Sequence, residues 1–579
     1  MSKKIKWCQG KSLSLDFTED FDRFCKEISE FGLSKSAMGI LYNRDINTYE
    51  KVRMHLYMDL GDIHNPSLLK DSDKFILGVK KAIDEKHKII IMGDYDCDGV
   101  TATSIAMLAL RNLNLDVDFY INNRFVEGYG MTELSLENIL KKYPDVKTII
   151  TVDNGIVAFD AVKKAVDMGI QVLVTDHHEP SNTGEYPCAY AVVDQKRHDC
   201  EYPFKEICGA GVIFKLMMLL YWELGLELDY VYDLLDLLAV GTVADVVSLN
   251  DENRVFVKEG LNLIRNDHRL FFKILNEKAL VKQIDEETIG FQYGPLINAI
   301  GRLDGCPSIV VEAMISDDVN FITEVCEQMV ATNLQRKELT SEHVEQAELI
   351  LSNQEDRDVI VVYNECFLEG LVGLIAGRLC ERYYKPVIAL TKHGDKIKGS
   401  ARSIPGFDIK ESFDYCSDLL LGYGGHPQAG GLSLSESNLN AFIDKINEYA
   451  KEHLTEEIRN KKVYFDGVLK ASDLNAITID EIASLKPYGQ GFKKPLFGFK
   501  MDVTGFYEKV EKNVLILNGA NNVRMVGFDN KEQYISLGRP QRIAVLGCPS
   551  PNVYNGEVTY QFIINEDNIR VDRAIPPKR

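Results

Sequence analysis

Asp94, Asp96 and Asp98 stand in the run GDYDCDG, Asp153 in TVDNG, Asp176, His177 and His178 in VTDHHE, and Asp245 in GTVADVV. Each of the first three runs follows a short segment rich in Ile, Val and Thr, the composition of a β-strand. In a doubly wound sheet, residues just beyond the strand C-termini line the ligand crevice. Three strands would thus deliver carboxylates and imidazoles to one edge. Asp245 comes from a strongly apolar segment, where an unpaired charge is costly. Converging carboxylates repel, by about 4 kcal/mol for two like charges about 4 Å apart at an effective dielectric of about 20. Divalent cations remove that penalty, and oxygen-rich ligation with one or two imidazoles suits Mn²⁺ or Mg²⁺. Two such ions would bind a phosphodiester oxygen, activate a water and stabilise the leaving oxygen. Singly, each aspartate also reads as a turn residue or helix cap; recurrence after successive strands is what argues for metal.

The elements needed to place these groups are visible around them. From Lys86 onward, KIIIM, VDFYI (117–121), TIITV (148–152), VLVT (172–175) and AYAVV (189–193) alternate with helical stretches. That alternation predicts an α/β catalytic domain with a doubly wound parallel sheet over residues 81–320. Residues 1–80 mix helical pattern with loops and are expected to pack on it. A charged stretch almost free of Gly and Pro predicts a connecting helix over 321–353. A second, smaller α/β domain follows at 354–454, and several short strands with turn signals suggest a small β-barrel over 455–579.

At 579 residues, with 45% hydrophobic and 26% charged residues, the composition is that of an ordinary globular protein of several domains. No apolar run reaches the ~18–20 residues of a membrane span. The best candidate, Val231 to Leu249, carries three aspartates. The N-terminal MSKKIKWCQG has no apolar region of a signal peptide. The 12 cysteines include no C-x-x-C pair, which argues against a zinc site or disulfide framework and for reduced thiols in a cytoplasmic protein. The net charge of −21 is uneven: from Thr455 onward, 18 Lys+Arg face 15 Asp+Glu. Overall acidity says little about a local groove, and part of it belongs to a cluster that expects cations.

The four runs GDYDCDGVTAT, TVDNG, VTDHHE and GTVADVV resemble, in order, the signature motifs of DHH phosphoesterases, and the DYDCDG form resembles the RecJ family. That resemblance implies metal ligation by Asp96, Asp98, Asp153, His177 and Asp245, with Asp153 bridging two ions and Asp94 a further ligand or the neighbour of one. It implies that Asp176 is likewise a ligand or the neighbour of one, with a catalytic role, and that His178 is catalytic, facing the scissile phosphate as donor or proton carrier. Downstream, GPLINAIGRLD (294–304), EGLVGLIAGRL (369–379), KGSARSIPGFD (398–408) and GYGGHPQAGG (422–431) resemble the stretches that grip a nucleic-acid end. They nominate Arg302, Arg378, Ser400, Arg402, Gly425 and His426. Glycines let backbone N–H groups approach phosphate, and Ser400, Arg402 and His426 can donate to its oxygens; an ordinary glycine turn with surface polar groups is the alternative.

Two departures stand out: Leu296 where the family usually has Arg, and Phe367–Leu368 where it usually has Trp-His. LKPYGQGFKKPLFGF (485–499) is similar to the family's oligonucleotide-binding (OB) fold. Tyr488, Phe492 and Phe497 beside Lys493 and Lys494 would there stack bases and track phosphates, or else form core. Taken whole, the resemblance implies a two-metal exonuclease degrading single-stranded DNA, 5′ to 3′, to nucleoside 5′-monophosphates in repair and recombination. It implies a monomer working with a helicase and a single-strand-binding protein, away from membranes. A phosphodiesterase acting on short oligonucleotides and a non-catalytic single-strand-binding scaffold are the rival readings.

Overall fold

The computed structural model describes residues 5–13, 18–181, 183–303, 305–509, 514–520, 523–528, 530–554 and 557–572. Asp304, the last residue of the GPLINAIGRLD run, lies outside them, as do the chain's first four and last seven residues. The chain divides into two units, one built from residues 60–461 and one from residues 5–59 and 462–579.

In the first unit, Lys88–Gly93, Val117–Ile121, Val146–Val152, Gln171–Thr175 and Ala191–Val193 form a five-stranded parallel sheet. KIIIMG and VKTIITV are buried almost throughout, the continuous apolar run of a sheet covered on both faces. Cys97–Asn112 and Gly209–Glu223 contribute to the core on one face, and Leu136, Ile139, Val162 and Ala165 to that on the other. The second strand lies on one side of the first and the third on the other. A crevice therefore opens beyond the C-terminal ends of the first and third strands, at the topological switch point. Asp94 follows one of those ends and Asp153 the other.

The connecting helix is observed at Val319–Ser352, 34 residues, about 51 Å long at 1.5 Å per residue. It is more than a spacer. Ile322, Val325, Cys326 and Met329 belong to the first domain's core, and Val344 and Ala347 to that of the next. The second domain holds a mixed sheet in the order Leu420–His426, Ala429–Leu434, Lys396–Arg402, Val387–His393, Ile360–Tyr363, of which only the last pair is parallel. Of the residues that depart from the family pattern, Leu296 and Phe367 resolve into packing. Leu296 is 4% exposed inside the first core, and Phe367 is buried in the second with its ring 5.5 Å from that of His343; Leu368 is exposed.

In the second unit, Phe497–Lys509, Val514–Gly519, Arg524–Phe528, Glu557–Val571 and Arg542–Tyr554 are neighbours in that order. The first pairs again with the last and closes a barrel, which leaves no free edge among these strands. Two expectations are corrected here. Of residues 1–80, expected to pack on the catalytic domain, residues 60–80 do so through Leu69, Phe75 and Val79, whereas residues 5–59 share a core with the barrel: Phe21, Phe24, Ile40 and Leu41 join Phe497, Phe499 and Leu517. The barrel has an apolar face to cover, and burial, not sequence order, decides what covers it. Tyr488, Phe492 and Phe497 are also core, 7%, 0% and 0% exposed. Phe492 stacks on Tyr488 and carries the Arg44 guanidinium over its ring, so these aromatics are not a platform for bases.

Candidate metal centre and anion cavity

The strand ends bring together every carboxylate and imidazole that the sequence singled out as a metal ligand. Ligand atoms of Asp94, Asp96 and Asp153 lie within 4.8 Å of one another, as do those of Asp98, His177 and Asp245, and those of Asp153, His177 and His178. Asp153 and His177 each belong to two of these groups. His177 Nε2 stands 3.1 Å from Asp153 Oδ1, and 3.7 Å from both Asp98 Oδ2 and Asp245 Oδ2. Asp94 Oδ1, Asp153 Oδ1 and both ring nitrogens of His177 are buried without a hydrogen-bond partner. Orphaned buried acceptors carry a desolvation penalty, and here they point at one another. This donor set fits divalent cations and is hard to reconcile with a site that holds none.

The electrostatics agree. Burial, then Asp96, pushes the Asp98 carboxyl up to about 6. Burial and the surrounding aspartates raise Asp94, Asp153 and Asp245 well above the usual carboxylate range. Burial, then His178, lowers His177 to about 3, which leaves it neutral and able to offer a ring nitrogen. His178 behaves oppositely: burial opposes its charge, but the Asp176 carboxylate outweighs that and raises it to about 9.

Each donor has a structural reason for its position. Asp96 caps the helix Cys97–Asn112, accepting from the backbone N–H of Asp98 and Gly99, so the helix-cap reading holds for it. Asp98 accepts from the backbone N–H of Gly209 and Ala210, at 2.6 and 3.0 Å, at the start of the helix Gly209–Glu223. A Cβ on Gly209 would stand 2.5 Å from Asp153 Cβ, so only glycine admits this approach. Asp245 caps the C-terminus of Leu235–Ala244. Asp176 belongs to none of the three ligand groups. It accepts from the backbone N–H of Ile156, His177 and His178 and from His178 Nδ1 at 2.7 Å, and so orients His178. Tyr129, in the run GYG, places its hydroxyl 3.0 Å from His178 Nδ1. Sequence reasoning missed Gly209, Ala210 and Tyr129. Small residues opening an apolar helix, and a Gly-flanked tyrosine, were the only signals.

Next to this cluster, between the two domains of the first unit, is a cavity of about 570 Å³ whose lining includes Arg124, Arg302, Lys398, Ser400 and Arg402. Its one acid, Glu369, is engaged by His393 and Lys398. Arg124, Arg302 and Arg402 have no carboxylate partner among the described residues. Burial, then Arg124, Arg336 and Arg402, lowers Arg302 to about 10, the signature of cations gathered for an anion. Arg302 donates to the Gly370 carbonyl, and a Cβ on Gly370 would stand 2.0 Å from the Arg302 carbonyl; the glycine allows the two domains to meet there. Arg124, lying over the Tyr95 ring, was not foreseen. Arg378 is exposed on Val372–Tyr383, and Arg378, Gly425 and His426 do not line the cavity. Gly425 has φ of 139° and backs onto the Ala429 carbonyl, a position for glycine alone. His426 ends the exposed strand Leu420–His426.

The sequence matches the DHH family N-terminal domain over residues 88–242, the DHHA1 domain over 356–452 and the RecJ OB domain over 465–566. It is 35% identical over 557 residues to the single-stranded-DNA-specific exonuclease RecJ of Bacillus subtilis, covering 94% of this chain and 70% of that protein. To the Escherichia coli protein of the same name it is 33% identical over 452 residues, covering 72% and 77%. The structure of RecJ from Thermus thermophilus in complex with Mn²⁺ superposes with a TM-score of 0.84 at 25% identity, over 99% of this chain and 81% of that one. A second RecJ structure, bound to manganese, gives 0.57 at 30% identity over 66% and 95%. This chain belongs to the RecJ family.

Proposed function

We propose that this chain is a metal-dependent exonuclease that removes nucleotides singly from the 5′ end of single-stranded DNA, releasing nucleoside 5′-monophosphates. The observation that carries this reading is the adjacency of an unneutralised arginine cavity to a cluster of unpaired carboxylates. The first suits a terminal phosphate and the second the cutting of a phosphodiester. Asp94, Asp96, Asp98, Asp153, His177 and Asp245 would hold two ions. When bound, such ions supply Lewis acidity toward the phosphodiester and lower the pKa of a water. Arg302, Arg402, Arg124 and Ser400 hold the terminal phosphate and set which phosphodiester lies over the carboxylates. His178, oriented by Asp176, donates to a phosphate oxygen. The OB barrel provides the fold that binds single strands in other proteins, and it favours a long strand over a dinucleotide. In the cell, a helicase and a single-strand-binding protein would present the substrate.

The test is mononucleotide release from a 5′-labelled single strand in Mn²⁺. Wild type should release label from the first cut, and Asp153→Ala should not while keeping its fold. Arg402→Ala should raise KM for a 5′-phosphorylated strand and leave a 5′-hydroxyl strand nearly unchanged. Label appearing first in long fragments, or equal effects on both strands, would refute the assignment.

A further inference from the structure

Beside Asp245, and on the turn that packs against its helix, the chain exposes two large apolar side chains, Val246 and Phe291. Val246 follows Asp245 directly, is 65% exposed and has φ of 62°, a conformation a β-branched residue adopts only when its surroundings impose it. The wide helical turn Ile289–Tyr293 packs against the same helix end. A Cβ on Gly290 would lie 3.7 Å from Val243 Cγ1, and one on Gly294 3.2 Å from Ala244 Cβ. Ile289 and Tyr293 are buried, Tyr293 stacking on Phe272 and donating to Asn276. The extra residue in such a turn leaves Phe291 outward, 78% exposed, and its ring has no aromatic partner among the described residues.

The helix Gly294–Leu303 continues from this turn to Arg302 in the anion cavity, about 15 Å over its ten residues, the length of a few nucleotides. Along the way it passes the carboxylate cluster. A Cβ on Gly301 would stand 3.0 Å from the Tyr95 carbonyl, next to Asp96, while Gly294 touches Ala244, next to Asp245. One helix thus has the terminal-phosphate cavity at one end, the metal centre alongside, and the bare phenyl ring at the other end.

We infer that Phe291, with Val246, is a stacking platform for a nucleobase of the single strand beyond the second nucleotide, on the far side of the cut from the terminal phosphate. An aromatic face accepts any base, which suits a reaction that must proceed regardless of sequence. The platform holds the retained strand in line while its terminal nucleotide is removed. This inference rests on the exonuclease reading above, and its test separates the two.

Wild type, Phe291→Ala and Phe291→Trp would be compared in Mn²⁺ on a 5′-phosphorylated single strand, on the same strand with one abasic residue at successive positions, and on a 5′-phosphorylated dinucleotide. Phe291→Ala should raise KM for the long strand by about 5- to 160-fold, the range for loss of one base stack. It should leave kcat and the dinucleotide unchanged, and Phe291→Trp should restore KM. In wild type an abasic residue at one position should cost as much as the Phe291→Ala substitution, and it should add nothing in that variant. An unchanged KM, or abasic effects that multiply with the substitution, overturns the platform; a ring that serves a protein partner would give that result. If wild type cuts neither substrate, the exonuclease reading fails by itself. Fluorescence anisotropy of a labelled strand then still decides Phe291, and equal affinity of wild type and Phe291→Ala sinks it.

Discussion

Asp153 has φ of 61° and is 1% exposed, a left-handed conformation that aspartate tolerates better than most residues. It turns the carboxylate back into the cluster, where burial and then Asp98, Asp96 and Asp94 raise its pKa. Asp153→Asn keeps the shape and removes one of the repelling charges. Without ions the variant should therefore melt above wild type, by on the order of 1–4 kcal/mol in stability. With Mn²⁺ it should show a smaller thermal shift and lose hydrolysis by roughly a thousandfold or more. The pH dependence follows from the same groups. A carboxyl whose folded pKa exceeds its unfolded one stabilises the fold fully below the unfolded value and less as pH climbs through the folded one, about 6 for Asp98 and higher for Asp94, Asp153 and Asp245. His178, raised to about 9, loses stability in the same direction; His177, lowered to about 3, works the other way, against stability below its unfolded value of 6.5. Ions displace the carboxyl protons, so the melting-temperature gain on adding Mn²⁺ should grow from about pH 5.5 to about pH 8. A gain that ignores pH would mean that these carboxyls are not the ligands.

At the scale of elements, the site depends on helix ends as much as on strand ends. The N-terminus of Gly209–Glu223 donates two N–H groups to Asp98, and Asp98 is held by that helix rather than by its own. Gly209→Ala would place a methyl 2.5 Å from Asp153 Cβ and 2.8 Å from its Cα, atoms that cannot yield without moving the backbone. The expected result is a folded protein, by circular dichroism, with at least about tenfold weaker Mn²⁺ dependence; an unchanged metal titration would show that the helix end is incidental. The same contrast explains what the sequence disclosed. Asp94, Asp96, Asp98, Asp153, Asp176, His177 and His178 follow strands of nearly pure Ile, Val and Thr, and strand ends can be read from composition. Gly209, Tyr129 and Arg124 reach the site through tertiary approach, which leaves only a glycine or a lone arginine in the sequence. Leu296 and Phe367, which depart from the family pattern, prove to be core, because a position near a motif need not face the cleft. Arg378 misses the cavity for a related reason: its helix buries Ile375, Ala376 and Leu379 and turns Arg378 to solvent.

For the whole molecule, the decisive fact is that the chain's two ends fold together. Residues 5–59 and 462–579 share a core, whereas the cores of the catalytic domain and of the second domain lie within residues 60–461. The alternation that revealed the parallel sheet could not show this, because pairing over more than 400 residues leaves no local pattern. A bidentate pair ties the terminal unit internally: Arg44 Nη1 and Nη2 reach the two Asp466 oxygens at 2.8 and 3.1 Å, with side chains 11% and 9% exposed, and Asn43 donates to the same carboxylate. Removing one partner of such a pair leaves a buried charge uncompensated and costs about 3–5 kcal/mol. Arg44→Met should therefore lower the unfolding transition of the terminal unit, whereas Mn²⁺, proposed to bind between residues 94 and 245, should raise only that of residues 60–461. Differential scanning calorimetry of wild type and Arg44→Met, each with and without Mn²⁺, reads both effects at once. Two transitions that respond separately would show that the units unfold independently. A single transition moved by both would show one cooperative molecule, in which losing the terminal unit also weakens the metal centre.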